Sequence, residues 1–198
     1  MESSIRGLLN NHARLRIRRL QYKINFDIFT HYQHDSGCYR EAVSFLRPYF
    51  NMYDRAVVMF DKKGSGQEAR PRDLIETEVE HLLSINGWED RARVIVIDPE
   101  LEQWIWGDYT TVSGVLEWPN GSRGLMIWLN ERNYLRREGN LKASPPKEAF
   151  KNALQHVSKR RTSNLYLEIA QEVNIEHCTD PAFAKLKSIL QNWFPIKK

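Results

Sequence analysis

Residues 56–61, Ala56-Val57-Val58-Met59-Phe60-Asp61, decide the fold. A short, continuous apolar run of this kind is typical of a strand buried on both faces, as in a parallel sheet. It stops at Asp61, and Lys62-Lys63-Gly64-Ser65-Gly66 follows as a flexible loop. Downstream, Asp73 is placed to cap a helix reaching about Asn86. Leu74, Val79, Leu82 and Leu83 are its apolar residues, and Glu76, Glu78 and Glu80 its polar ones. Asn86-Gly87 closes it, because glycine is the common residue just past a helix end. Val94-Ile95-Val96-Ile97 is a second buried strand, and Asp98-Pro99 predicts a further helix with Pro at its first position.

Working upstream, residues 22–29 alternate apolar and polar with β-rich composition and read as another strand. It ends in the polar stretch His31-Tyr32-Gln33-His34-Asp35-Ser36-Gly37. Residues 38–50 follow as a helix, with Val43, Leu46 and Phe50 on one face. Ser3 or Ser4 is positioned to cap a short amphipathic helix containing Ile5, Leu8 and Leu9. Strand, helix, strand, helix, strand at these spacings predicts right-handed parallel crossovers. Residues 116–140, rich in Trp, Gly and Asn, fit no single period. Pro145-Pro146 then opens a mostly helical tail, with helices over about 147–157, 162–173 and 180–194. The expectation is one α/β domain over 1–198, with its core in 1–110 and a mostly helical C-terminal cap in 111–198.

Composition sets outer bounds. Hydrophobic residues are 41% and charged residues 27% of 198, an ordinary globular balance. No run of about 18 apolar residues exists, so no membrane helix is expected. Residues 1–7 lack the basic and apolar segments of a secretory signal. Two widely separated cysteines, Cys38 and Cys178, suit a reducing, cytoplasmic setting. The net charge of +4 and pI of about 9.1 are mildly basic. The excess gathers in Arg14, Arg16, Arg18, Arg19 and Lys23, and again in Arg136, Arg137, Lys142, Lys147, Lys151, Lys159, Arg160 and Arg161. Such clusters are either a phosphate-binding footprint, for DNA or RNA, or a solvated face, and composition leaves both open.

In a parallel sheet, ligands bind beyond the carboxyl ends of the strands. The expected strand ends here offer His31, His34 and Asp35, then Asp61, then Asp98 with Glu100 and Glu102. Neighbouring strands lie about 4.8 Å apart, so their end residues can converge on one ion. Carboxylates with room for water suit Mg²⁺ or Mn²⁺. Each acid also has a structural reading. Asp98 is a natural helix cap, Glu100 favours a first helical turn, and Asp61 can organise a loop. His31 and His34 lack partners that would complete a zinc set. The sequence carries no P-loop, no Gly-x-Gly-x-x-Gly fingerprint and no Gly-x-Ser-x-Gly elbow.

Phe60-Asp61 with its Gly-Ser-Gly loop, Asn86-Gly87-Trp88, and Ile97-Asp98-Pro99-Glu100-Leu101-Glu102-Gln103-Trp104 resemble a small Toprim-like family of bacterial anti-phage defence islands. A small component of the methylation-associated defence system is similar. Thr162-Ser163-Asn164-Leu165-Tyr166, Cys178-Thr179-Asp180-Pro181-Ala182-Phe183 and Trp193-Phe194-Pro195 add to the likeness. The resemblance implies a Toprim/Rossmann-like sheet, a divalent metal (Mg or Mn), nucleic acid as substrate and other defence-system subunits as partners. It implies Asp61, Glu100 and Glu102 as catalytic residues, with Asp98 joining them on the metal. Lys62, Lys63, Arg136, Arg137, Lys159, Arg160 and Arg161 would hold phosphates. Two departures stand out. Lys63 occupies the position of the second Asp in the family's Asp-x-Asp pair. The first family strand with its glutamate is also missing from the sequence, either through a start further upstream or through loss. Three readings follow: a metal-dependent nuclease, a non-catalytic subunit or sensor of a defence complex, and a phosphohydrolase acting on a small phosphorylated substrate.

Overall fold

The computed structural model describes residues 1–136, 142–174, 176 and 178–196, the side chains of 136 and 142 excepted. The helices are α1 (Glu2–Asn10), α2 (His12–Leu15), α3 (His34–Arg40), α4 (Ala42–Leu46), α5 (Arg72–Leu83), α6 (Glu102–Ile105), α7 (Tyr109–Val115), α8 (Gly121–Glu131), α9 (Pro146–His156), α10 (Ser163–Glu172) and α11 (Pro181–Trp193). The strands are β1 (Ala56–Asp61), β2 (Ala92–Ile97), β3 (Leu135–Arg136) and β4 (Lys142–Ala143). Two compact units result. Unit 1 holds Met1–Ile28, Leu101–Asp180 and Leu190–Lys198, and unit 2 holds Phe29–Glu100 and Pro181–Ile189.

Unit 2 is built around β1 and β2, which pair in parallel from Ala56↔Ala92 to Asp61↔Ile97. The two apolar runs therefore form strands as their composition predicts, and Phe60 and Val94 to Ile97 are fully buried. Against them pack Ala42, Leu46, Ile75, Val79, Leu83 and Trp88. The chain is thus mostly helical, with a parallel sheet of two strands rather than three.

The missing strand is the one expected over 22–29. Those residues close on themselves: Lys23 N–H donates to the Phe26 carbonyl at 2.8 Å and Asn25 N–H to that of Gln21 at 2.8 Å. The Asn25 side chain accepts from Gln21 N–H at 3.0 Å, and Lys23 pairs with Asp27 at 3.2 Å. Local bonds of this kind compete with a ladder, and they win here. Ile24 is left 74% exposed.

A two-stranded sheet leaves the outer edge of β2 without a neighbour, and α5 fills that role with side chains. Glu76 Oε1 accepts from Val96 N–H and Glu80 Oε1 from Val94 N–H, both at 2.9 Å. Arg72 at 2.6 Å and Lys185 of α11 at 3.1 Å hold the Glu76 carboxylate, while Lys185 also reaches Glu80 at 2.7 Å. The polar face expected for this helix is therefore inverted at Glu76, which is 3% exposed, whereas Leu74 and Leu82 face water at 54% and 41%. A buried strand edge needs acceptors, and that need outranks the separation of apolar from polar residues.

Several boundaries also move. Helix α1 starts at Glu2, which puts Ser3 and Ser4 inside its first turn with no capping bond. The helix expected over 38–50 starts at His34 and breaks at Glu41, whose φ of −117° is non-helical. Asp73 lies in the first turn of α5 without capping it. Beyond Leu83 that helix widens into the turn Ser84–Trp88, where Gly87 has φ +92° and a Cβ would lie 2.9 Å from the Phe50 ring. Only glycine fits there. No helix begins at Asp98-Pro99, a cis peptide, because this segment's carbonyls are already taken. Ile97 accepts from Lys62 N–H at 2.8 Å and Pro99 from Lys63 N–H at 3.0 Å.

The tail, most of it in unit 1, is helical where the sequence places it. Thr162 caps α10 by accepting from Leu165 N–H at 3.2 Å. Its core gathers Trp106, Val112, Leu116, Leu125, Leu129, Phe150, Leu154 and Ile169. Helix α1 lies so close to α10 that a Cβ on Gly7 would meet the Leu167 carbonyl at 2.4 Å. None of the described helices is long and apolar enough to cross a membrane.

Glu76→Ala is expected to lower unfolding free energy by about 3 kcal/mol, since it strips an acceptor from a buried N–H and strands two cations. Glu76→Gln keeps the acceptor and is expected to cost less, and Leu82→Ser stays within about 0.5 kcal/mol of the parent. Urea denaturation of the three variants checks this order.

Candidate functional site

The ends of β1 and β2 bring three of the four expected acids into unit 2. Asp61 closes β1 at 8% exposure, and its N–H donates to Asp35 Oδ1 of α3 at 3.0 Å. Asp98 follows β2, with its Oδ2 2.8 Å from Lys62 Nζ. Glu100 is 2% exposed, with its Oε1 3.6 Å from Lys63 Nζ. The two lysines expected on phosphates are thus turned onto the acids expected on metal.

The turn that carries those lysines is pinned. The Ser65 hydroxyl, fully buried, donates to the Lys62 carbonyl at 2.6 Å and accepts from Gln67 N–H at 3.1 Å. Glu68 Oε1 accepts from Gly64 N–H at 2.8 Å. The N–H groups of Glu68 itself and of Gly64 hold its carboxyl below the ordinary range. With Lys62 and Lys63 also donating backbone bonds to 97 and 99, the lysine positions are fixed by the same hydrogen bonds that shape the turn.

Glu102 belongs to unit 1. It opens α6 at 2% exposure, and its Oε1 accepts from the Tyr166 hydroxyl at 2.7 Å and from Arg161 Nη2 at 3.0 Å. Arg161 Nε also donates to the Tyr166 oxygen at 2.7 Å. Burial, reinforced by the neighbouring Glu102, pushes the Tyr166 phenol well up. This closed triad is what a buried carboxylate requires for folding. The company of Trp104, Ile105 and Trp106 around Glu102 is accounted for in the same way: Trp104 Nε1 donates to Asp180 and Trp106 Nε1 to the Pro146 carbonyl.

The other expected residues sit as follows. Lys159 Nζ donates to the Val115 carbonyl at 2.8 Å and pairs with Glu117 at 2.9 Å. Arg160 is exposed. The side chain of Arg136, and Arg137 entirely, lie outside the described residues. His31 is buried, accepts from Gln33 N–H at its Nδ1 and meets Glu41 at its Nε2, 3.2 Å away. Among the described residues no group of three or more His, Cys, Asp or Glu is disposed to hold a metal ion.

Sequence reasoning passed over Glu76, Glu80 and Lys185, and also Asp108. Asp108 caps α7 by accepting from Thr110 and Thr111 N–H at 3.1 Å and ties Asn174 N–H at 2.9 Å. Burial alone would raise its carboxyl, yet these N–H groups and the Thr111 hydroxyl outweigh it and bring the carboxyl below the usual range. The signal was present as Asp108-Tyr109-Thr110-Thr111, a cap residue before a helix.

Tyr166→Phe removes one of two bonds to a buried carboxylate and is expected to cost about 1–3 kcal/mol, read by thermal or urea unfolding. Burial also raises the Tyr109 phenol to about 12. A raised folded value means that its contribution is complete below the ordinary value of 10.0 and is lost as pH climbs towards about 12. Unfolding free energy measured between pH 9 and about 12 should therefore fall, and fall less in Tyr109→Phe.

Comparison with protein-family models, curated proteins and solved structures finds no match for this chain.

Proposed function

We propose that the chain is a non-catalytic binding subunit of a multi-protein defence assembly, on a Toprim-like frame whose acidic edge is neutralised from within. One observation carries this reading: Lys62 and Lys63 lie on Asp98 and Glu100, at 2.8 and 3.6 Å. A hard divalent cation asks for several unprotonated oxygens and room for water, and an ammonium on each of two acids supplies the opposing charge instead. The residues as placed do not fit Mg²⁺ or Mn²⁺. Lys63 matters most, because it stands where the resembled family carries its second Asp.

Exposed apolar side chains support the partner-binding part. Leu74 and Leu82 lie two helical turns apart on α5, and Ile85 follows at 65% exposure. These exposed apolar side chains on α5 and the turn after it are where a partner would gain contact area. The setting in a bacterial, cytoplasmic defence complex rests on the family resemblance.

A metal-dependent nuclease is the second reading, favoured by the arrival of Asp61, Asp98 and Glu100 in one unit at paired strand ends. Calorimetric titration of Mn²⁺ and Mg²⁺ separates the two. The wild type is expected to give no saturable heat and no DNA or RNA cleavage, while Lys63→Asp gains Mn²⁺ binding. Saturable binding by the wild type that disappears in Asp61→Ala, together with cleavage, would return the chain to the nuclease reading.

A further inference from the structure

Unit 1 holds a second place with chemistry, used by neither its core nor the acidic edge. Trp128 of α8, Arg132 and Tyr134 beyond it, and Asn152, Gln155 and His156 of α9 line a cavity of about 540 Å³, a hollow widely open to solvent. That volume falls within the range of small-molecule sites. All six residues lie in unit 1.

Three properties of the lining narrow what it can take. None of the six lining residues is acidic, although Glu148 accepts from the Tyr134 hydroxyl at 3.5 Å, and the Arg132 guanidinium has no acidic partner among the described residues. The Arg132 end of the cavity therefore favours an anion. Its apolar part is aromatic and held in place. The Trp128 and Tyr134 rings stack at 6.0 Å with 29° between planes, and His156 lies 5.4 Å from Trp128 and 5.0 Å from Trp118. Arg132 rests over the Trp128 ring at 4.3 Å, a placement that holds a guanidinium ready without neutralising it.

The third property is unmet hydrogen bonding. The Trp128 indole N–H has no acceptor among the described residues but is itself buried, so the groups open to a ligand are those of its neighbours. The side chains of Gln155 and His156 have no hydrogen-bond partner among the described residues. Asn152 donates to the Tyr134 hydroxyl, which leaves its amide oxygen as an acceptor. Aromatic planes, side-chain amides and one uncompensated guanidinium match a ligand with a flat heterocycle and a phosphate.

We infer that this cavity binds a nucleotide, with its phosphate on Arg132 and its base against the Tyr134 and His156 rings beside Asn152 and Gln155. The nucleotide is either a free mononucleotide or the end of a single strand, since both present the same base and phosphate. Metal titration of the acidic edge and nucleotide titration of this cavity use different residues, so either can fail without the other.

The test is tryptophan fluorescence and calorimetry of the full chain with AMP, CMP, adenosine, inorganic phosphate and a 5′-phosphorylated ten-nucleotide single strand. AMP or CMP is expected to bind saturably, at least tenfold more tightly than adenosine or phosphate alone. Arg132→Ala should weaken it at least tenfold. Gln155→Glu, at an exposed position that leaves packing intact, should do the same by placing a carboxylate beside the phosphate. A strand that binds at least tenfold more tightly than AMP, with the same dependence on Arg132 and Gln155, identifies a strand end as the source. Equal affinities identify the free nucleotide. The assignment is overturned if neither nucleotide nor strand binds saturably, or if binding survives both substitutions in folded protein.

Discussion

The fold of unit 2 depends on two carboxylates replacing a strand. Strand β2 has only β1 beside it, and the N–H groups of Val94 and Val96 would otherwise be buried without acceptors. Glu80 and Glu76 of α5 accept them at 2.9 Å each. Bringing two carboxylates to a buried edge is costly unless cations accompany them, and Arg72 and Lys185 do. The same arrangement protects the edge from pairing with another chain, a hazard that an exposed strand as apolar as Val94-Ile95-Val96-Ile97 would carry. Burial of Ile75, Val79 and Leu83 on α5 against the sheet fixes the register in which the two glutamates meet those N–H groups.

That solution shapes the acidic edge as well. With the outer side of β2 closed, the chain leaves the sheet through Asp98-Pro99-Glu100, whose backbone is bonded to the Lys62-Lys63 turn. The lysines are thereby carried to the acids by the backbone, rather than by chance collapse of long side chains. An exposed pair such as Lys62–Asp98 contributes little to stability, about 0–1 kcal/mol. Its consequence is electrostatic: each ammonium lowers the appeal of that edge for a second cation. Glu100, at 2% exposure, has the most to gain from a neighbouring positive charge.

The strands β1 and β2 were legible because continuous apolar runs bounded by polar residues have few other uses in a chain of this size. The three tail helices were legible from Pro146, Thr162 and Pro181, whose local chemistry marks helix starts wherever they fold. Residues 22–29 were misread because alternation counts side chains and ignores Asn25, whose bonds to Gln21 favour a turn. Glu76 and Glu80 were misread because a helical pattern cannot say that a strand arriving fourteen to twenty residues later will need acceptors. For the site, the sequence placed Asp61 and Asp98 at strand ends, with Glu100 just beyond, as the structure has them. It could not show that Lys62 and Lys63 would fold back onto the latter two, or that Glu102 would be closed off by Tyr166 and Arg161 from sixty residues away.

The basic clusters carry the same lesson about charge. Composition counts cations, whereas binding depends on those that folding leaves available. In the first cluster Arg14 Nη1 donates to the Glu172 and Val173 carbonyls at 2.8 and 3.1 Å, at the end of α10, where a cation complements the helix dipole. Arg18 lies over the Phe194 ring at 5.4 Å, and Lys23 pairs with Asp27. In the second, Lys159 and Arg161 are engaged by Glu117 and Glu102. Arg132, in neither cluster and unremarkable in sequence, keeps its charge uncompensated among the described residues. Arg16, Arg19 and Arg160 likewise show no acidic partner among the described residues, so what sets Arg132 apart is its seat over the Trp128 ring beside Tyr134 and His156.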